Sequence, residues 1–218
     1  MIDLNQSLRL VLEQIAEVKR ILIATEHALN HKRPATILVT SAAQGEGKTL
    51  LASALASTAA KSGDRRVVAL DFNWFMPALH RGFALDLDHS IEEILGAQLG
   101  EVVSPSGQDG LDVLVAPRDH DHPQAPSRQI PRGVSRLVDS ARHDYDLVVI
   151  DSASIFPTNR MMMDPVMLAD VADGVILVVQ ASVTPRQQVR SAQKLIETAG
   201  GKVLGVVSNR WRGAVQSR

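Results

Sequence analysis

The sequence predicts an α/β fold, doubly wound, with a mostly parallel sheet and helices on both faces. Three observations carry this expectation. Six short apolar runs rich in Val, Ile and Leu recur along the 218 residues. Within them apolar residues are consecutive rather than alternating, as in parallel strands covered on both sides. Helical stretches separate the runs, which is the rhythm of right-handed βαβ crossovers. A chain of this length can bury one sizeable core.

Residues 4–29 come first and read as one long helix. Leu4, Leu8, Val11, Ile15, Val18, Leu22 and Leu29 fall at alternating spacings of four and three, with Thr25 filling the remaining step. Asp3 and Gln6 are placed to cap its start. Residues 1–30 are thus expected to form an N-terminal helix that packs on its own domain or also docks a neighbouring subunit. The strands follow: TILVT (36–40), VVALD (67–71), DVLVA (112–116), LVVID (147–151), VILVV (175–179) and VLGVV (203–207). Helices are expected over 48–62, roughly 90–98, 129–142, about 161–171 and 185–199. Ser90 with Glu93 has the form of a capping box. The segments 100–110 and 117–128, rich in Gly, Pro, Ser and Asp, read as loops. Ligands of such sheets sit beyond the carboxyl ends of the strands, where Thr40, Asp71, Asp151 and Gln180 fall.

Several classes are disfavoured by composition. The formal charge of −1 gives no basic face for nucleic acid. There is no cysteine, hence no disulfide framework or thiolate metal site, and a reducing cytoplasmic home fits. No run of about 18 apolar residues suggests a membrane span, and MIDLNQSLRL lacks the form of a signal peptide.

Between the first strand and the next helix the chain reads A-A-Q-G-E-G-K-T from Ala42. This is P-loop spacing with Ala in place of the first Gly. Gly45 and Gly47 let backbone N–H groups turn inward toward phosphate oxygens. The following helix adds its positive N-terminus, Lys48 reaches the β- and γ-phosphates, and the Thr49 hydroxyl is a Mg²⁺ ligand. Gln44, Gly45, Glu46, Gly47, Lys48, Thr49 and Leu50 are the expected nucleotide-binding stretch, within a P-loop domain spanning 31–218. Asp151, ending DLVVID, is the expected acid beside the loop that holds the metal directly or through water. ATP and Mg²⁺ are the implied cofactors.

On these motifs the chain resembles the BY-type tyrosine kinases, the cytoplasmic kinase domains of bacterial capsule and exopolysaccharide machinery, over about residues 34–210. The family's loop is matched by SAAQGEGKT, its metal-site strand by YDLVVID, and its later strands by ADGVILVV and GVVSN; its third phosphate motif is partly matched by VVALDFNWFMPALH. The resemblance implies a deviant-Walker P-loop NTPase. It places Lys48, Asp71 and Asp151 in catalysis, Thr49, Asp71 and Asp151 around Mg²⁺, and Asn209 against the adenine. Asp164 matches an aspartate that follows the metal-site strand. It further implies a homo-oligomer working at the inner face of the cell membrane, beside a membrane polysaccharide copolymerase that sets chain length. There are departures. Asn73 and Phe75 replace the second Asp and the Arg of the third motif, DSAS replaces D-T-P-P, and Ile23 stands where the N-terminal helix motif has its last Arg. The tyrosine-rich tail is missing. The chain ends WRGAVQSR, and its single tyrosine, Tyr145, precedes a strand.

The implied function is an ATP·Mg-binding, kinase-like P-loop ATPase of polysaccharide assembly or export, acting on a tyrosine in trans or hydrolysing ATP. Two other readings stand beside it: a catalytically weak nucleotide-dependent scaffold, and a partition or division-type ATPase. The last is disfavoured because Ala43 occupies the position of that group's signature lysine. Of the remaining polar or apolar clusters, Asp119 to His122 reads as a solvated loop. Met161 to Met163 with Met167 read as adaptable core or interface. Trp74 and Phe75 read as a cover for the site or as buried residues.

Overall fold

The computed structural model describes residues 7, 9, 11, 16–119, 129–156 and 163–210. Helix α1 (Ala16–Ala28) leads into β1 (Ala35–Ser41), and α2 (Lys48–Ala60) into β2 (Val67–Asp71). Three short helices follow, α3 (Leu79–Phe83), α4 (Ile91–Gly96) and α5 (Leu99–Val102), and then β3 (Ser104–Pro105) and β4 (Leu111–Leu114). The second half runs α6 (Gln129–Asp144), β5 (Leu147–Ser154), α7 (Pro165–Val171), β6 (Gly174–Gln180), α8 (Arg186–Thr198) and β7 (Val203–Asn209).

Among the described residues the strands form one sheet in the order β3-β4-β2-β5-β1-β6-β7. Every pairing is parallel except β3 with β4. β1 lies between β5 and β6, so the chain departs from the middle of the sheet in both directions, and the loop after β1 opens at the crevice this creates. The two faces have separate cores. Ile37, Val39, Ala69 and Val149 pack with α1 and α2 on one side. Leu38, Leu70, Val148 and Ile150 pack with residues of α4, α6, α7 and α8 on the other.

Helix α2 lies between the sheet and α1. It can do so because its buried residues are small, including Ala52, Ser53, Ala54, Ala56, Ser57, Ala59 and Ala60. From α1 and its end, Val18, Leu22, Thr25 and Leu29 are buried. Thr25 fits this apolar stripe because its hydroxyl donates to the Ile21 carbonyl (2.7 Å). Leu4, Leu8 and Ile15 lie outside the described residues, and Val11 is exposed. Arg9 is buried. It donates to the Gly82 carbonyl (2.7 Å) and the Ser57 hydroxyl (3.1 Å) and stacks on Phe83.

The segment 100–110, expected to be a loop, instead holds part of α5 and all of β3. A capping box between Gln98 and Glu101 starts α5, and Gly107 and Gly110, both at positive φ, return the chain as a hairpin into β4. The glycines mark a turn between paired strands, and a two-residue strand has too little periodicity to be read. The helix expected over 90–98 stops at Gly96, where Ala97 becomes extended; its Ser90–Glu93 capping box is present. The helix expected from about 161 starts at Pro165, capped by the Asp164 carboxylate, which accepts from Val166 N–H (2.9 Å). Tyr145 is structural: its hydroxyl donates to Asp112 (2.8 Å) and its ring lies under Arg66.

Candidate functional site

Residues 42–47 join β1 to α2. Gly45 and Gly47 have φ of 80° and 91°, a region that L-residues occupy at a cost. Gly47 caps α2, and a Cβ there would lie 2.6 Å from Asn209 Nδ2. A loop with two left-handed glycines running into a helix N-terminus is an arrangement suited to anions. Lys48 and Thr49 open that turn.

Beneath the loop, Asp71 and Asp151 end up side by side because β2 and β5 pair in register at those positions. Both are fully buried. Asp71 accepts from the Asn73 (3.0 Å) and Leu79 (3.2 Å) amides. Neither carboxylate oxygen of Asp151 has a hydrogen-bond partner among the described residues. Burial pushes both carboxyls well above the usual carboxylate range, and for Asp71 the neighbouring Asp151 adds to it. For Asp151 the Lys48 ammonium, then the Thr49 hydroxyl and the Ser152 amide, pull the other way. A buried, unpartnered carboxylate next to a second one is costly unless a cation completes it. An oxygen-only donor set of Thr49 and Asp151, with Asp71 adjacent, has the chemistry Mg²⁺ selects. The residues present therefore fit a hydrated divalent ion between the carboxylates and the phosphate loop.

A cleft of about 310 Å³ opens above these groups. Gln44, Gly45, Gly47, Lys48 and Thr49 line its phosphate side. Leu50 and Ser53 of α2 and Asn73, Phe75 and Met76 from the loop after β2 line the opposite side. Gln44 Nε2 touches the Met76 sulfur across the mouth. Trp74 is in the core with its indole N–H on the Asp71 carbonyl (2.8 Å), whereas Phe75 and Met76 are exposed. The Asn73 amide nitrogen donates to the Met76 carbonyl (2.8 Å), which shapes this loop.

Two predicted site residues face elsewhere. The Glu46 side chain is buried and turns away from the cleft; its carboxylate accepts from Ala43 N–H (2.7 Å), Gln180 N–H (3.3 Å) and the Thr184 hydroxyl. Asn209 Nδ2 donates to the Glu46 carbonyl (3.0 Å). The structure thus brings Gln44, Gly45, Gly47, Lys48, Thr49, Leu50, Asp71 and Asp151 together, and holds Glu46 and Asn209 against the outer side of the loop. Ser154, which lines the cleft, was met only as the end of the DSAS departure and given no role, and Thr184 was not singled out because no motif marks it. Asp119 accepts from Ile91 N–H (2.8 Å) at the start of α4. No metal-binding cluster of His, Asp or Glu occurs among the described residues; His120 to His122 lie outside them, as do Met161 and Met162. Met163 packs against the core and Met167 is exposed.

No family model matches the chain. It is 28% identical over 187 residues to the tyrosine-protein kinase YwqD of Bacillus subtilis, a match covering 84% of this chain and 76% of that protein. It is 28% identical over 194 residues to the succinoglycan biosynthesis transport protein ExoP of Rhizobium meliloti, covering 86% of this chain but only 24% of ExoP. The crystal structure of the chimeric protein CapA2B2 superposes with a TM-score of 0.72 at 26% identity, covering 87% of this chain and 82% of that one. A ParA-family ATPase from Chlorobium tepidum shares the fold alone, with a TM-score of 0.59 at 18% identity over 81% of this chain and 74% of its own.

Proposed function

We propose that this chain, a P-loop domain of the bacterial tyrosine-kinase type, binds ATP with Mg²⁺ and transfers the γ-phosphate to a tyrosine of another protein. The observation that carries this reading is Asp151, whose two buried, unpartnered oxygens lie beside Lys48 and Thr49 at the foot of the glycine loop. Thr49 and Asp151, with Asp71, would hold the ion, which when bound spreads the charge of the β- and γ-phosphates. Lys48 meets the same oxygens as a point charge. Asp71, already held by two backbone amides, is rigid enough to orient an acceptor hydroxyl and receive its proton. Phosphoryl transfer asks mainly for such positioning and counter-charge.

This reading places the acceptor in trans; within these 218 residues the one tyrosine, Tyr145, is buried and engaged with Asp112. The likeness to ExoP favours a role in exopolysaccharide or capsule assembly. In this reading the protein is a cytoplasmic homo-oligomer, peripheral to the membrane through a polysaccharide copolymerase, with no nucleic-acid partner. No helix among the described residues is long and apolar enough to cross a membrane. A second reading, a nucleotide-dependent scaffold with little turnover, draws on Asn73 in place of a carboxylate and on its commitment to Met76.

The test is calorimetric titration with ATP at millimolar Mg²⁺, followed by phosphate release and label transfer with the cytoplasmic segment of a copolymerase. Binding that Lys48→Ala abolishes, together with transfer to the segment, supports the kinase. Tight binding without turnover supports the scaffold. No binding removes both.

A further inference from the structure

Thr184 does not line the cleft, yet it connects to the phosphate loop through a single buried carboxylate. Glu46 is flanked by the two left-handed glycines of the loop, Gly45 and Gly47. The peptide groups on either side of Glu46 are therefore the ones most free to rotate, and their N–H groups are among those that must face a phosphate. Among the described residues no hydrogen bond holds the Glu46 and Gly47 N–H groups from the cleft side. On the outer side two anchors do. The Glu46 carbonyl accepts from Asn209 Nδ2 at the end of β7 (3.0 Å). The Glu46 carboxylate accepts from Gln180 N–H at the end of β6 (3.3 Å) and from the Thr184 hydroxyl in the turn before α8. Its other oxygen accepts from Ala43 N–H (2.7 Å), which closes the loop on itself. The Thr184 hydroxyl also lies within reach of Gln180 N–H (3.1 Å), so one side chain gathers the end of β6 and the loop together.

We propose that Glu46 and Thr184 act as a pair of positioning residues that preorganise the phosphate loop, so that Thr184 sets the affinity for polyphosphate without touching it. This rests on the nucleotide-binding reading above. Glu46 is only 2% exposed, and its carboxylate draws its partners from Ala43, Gln180 and Thr184. Removing the Thr184 hydroxyl takes away the side-chain donor of that set. The loop then keeps only its bonds to Ala43, Gln180 and Asn209 and is less ordered before phosphate arrives, and part of the ordering entropy is charged to binding.

The experiment compares wild type, Thr184→Val, Thr184→Ser, Glu46→Ala and the Glu46→Ala/Thr184→Val double variant. Each is titrated with ATP at millimolar Mg²⁺ by calorimetry, and the melting temperature of the nucleotide-free protein is recorded in parallel. Val matches Thr in shape and removes only the hydroxyl. Thr184→Val is expected to weaken ATP about tenfold, the scale of one well-placed hydrogen bond to a charged group, and Thr184→Ser to restore it to within about twofold of wild type. The double variant is expected to bind no more weakly than Glu46→Ala, because both changes cut the same connection. Wild-type affinity in Thr184→Val, equal losses in the Ser and Val variants, or additive losses in the double variant would each overturn the pairing. Absence of ATP binding by wild type would instead overturn the nucleotide reading.

Discussion

Gly47→Ala measures directly how tightly the phosphate loop is held from outside. Two effects oppose the substitution. A residue with a Cβ at φ of 91° carries about 1–2 kcal/mol of backbone strain. The new Cβ would also stand 2.6 Å from Asn209 Nδ2, closer than such atoms approach, so Asn209 must withdraw. Its 3.0 Å bond to the Glu46 carbonyl is then lost, at about 0.5–1.5 kcal/mol. The reduced freedom of the unfolded chain returns about 0.4–1 kcal/mol. The net loss is about 0.5–3 kcal/mol. Gly45→Ala is the internal control: its φ is 80°, but a Cβ there meets nothing within 4 Å, so only the strain and entropy effects remain. Urea unfolding of the nucleotide-free proteins, with unchanged slope, should therefore place Gly47→Ala about 1 kcal/mol below Gly45→Ala. That gap should close when both changes are made in an Asn209→Ala background. Equal losses for the two variants, or a gap that persists without Asn209, would refute the claim that Asn209 packs against the loop.

Asp151→Asn replaces a buried, unpartnered carboxylate with a neutral amide. It should stabilise the ligand-free protein by about 1–3 kcal/mol near neutral pH while removing the Mg²⁺ dependence of ATP binding; a destabilised apo protein would argue against the site as described. The two aspartates also set a pH profile. Their folded pKa values lie above the unfolded value of about 4, so the stability they contribute is complete below that pH and is lost as pH rises through the folded values. Thermal unfolding of the metal-free protein should weaken from about pH 5 to about pH 8, and Mg²⁺ with ATP should restore more at the higher pH; a profile rising over that range would contradict it. Arg9→Ala removes the bonds to Gly82 and Ser57 and the stacking on Phe83. It should lower stability by about 2–3 kcal/mol in urea unfolding, and a change under about 0.5 kcal/mol would show that Arg9 is not anchored there.

The sheet and the loop were legible because both rest on local sequence. Apolar runs specify strands wherever they lie, and glycines followed by Lys48-Thr49 specify a cradle between a strand and a helix. Asp151 could be placed because the apolar run before it is a local feature, although β5 continues past it to Ser154. That Asp71 stands next to it could not be read from spacing, since it depends on β5 inserting beside β2, 80 residues away in the chain. The direction of the Glu46 side chain was hidden for the same reason. Its partners Gln180 and Thr184 lie on another strand and turn, and a glutamate between two glycines gives no hint of which way it faces. Asn209 carried a motif, but a motif names a residue type and not its contacts in the absence of ligand. The hairpin at β3 was missed because two residues have no periodicity.

Helix α2 carries a further consequence. Its residues from Leu51 to Ser57 are buried on every side, with small side chains that admit the sheet and α1 closely. Its main-chain amides should be among the last in the protein to exchange with deuterium, at a rate governed by global unfolding. The cradle is hung from the least yielding part of the molecule, so motion that admits or releases a ligand falls to the 73–78 segment that lines the cleft and not to the helix beneath.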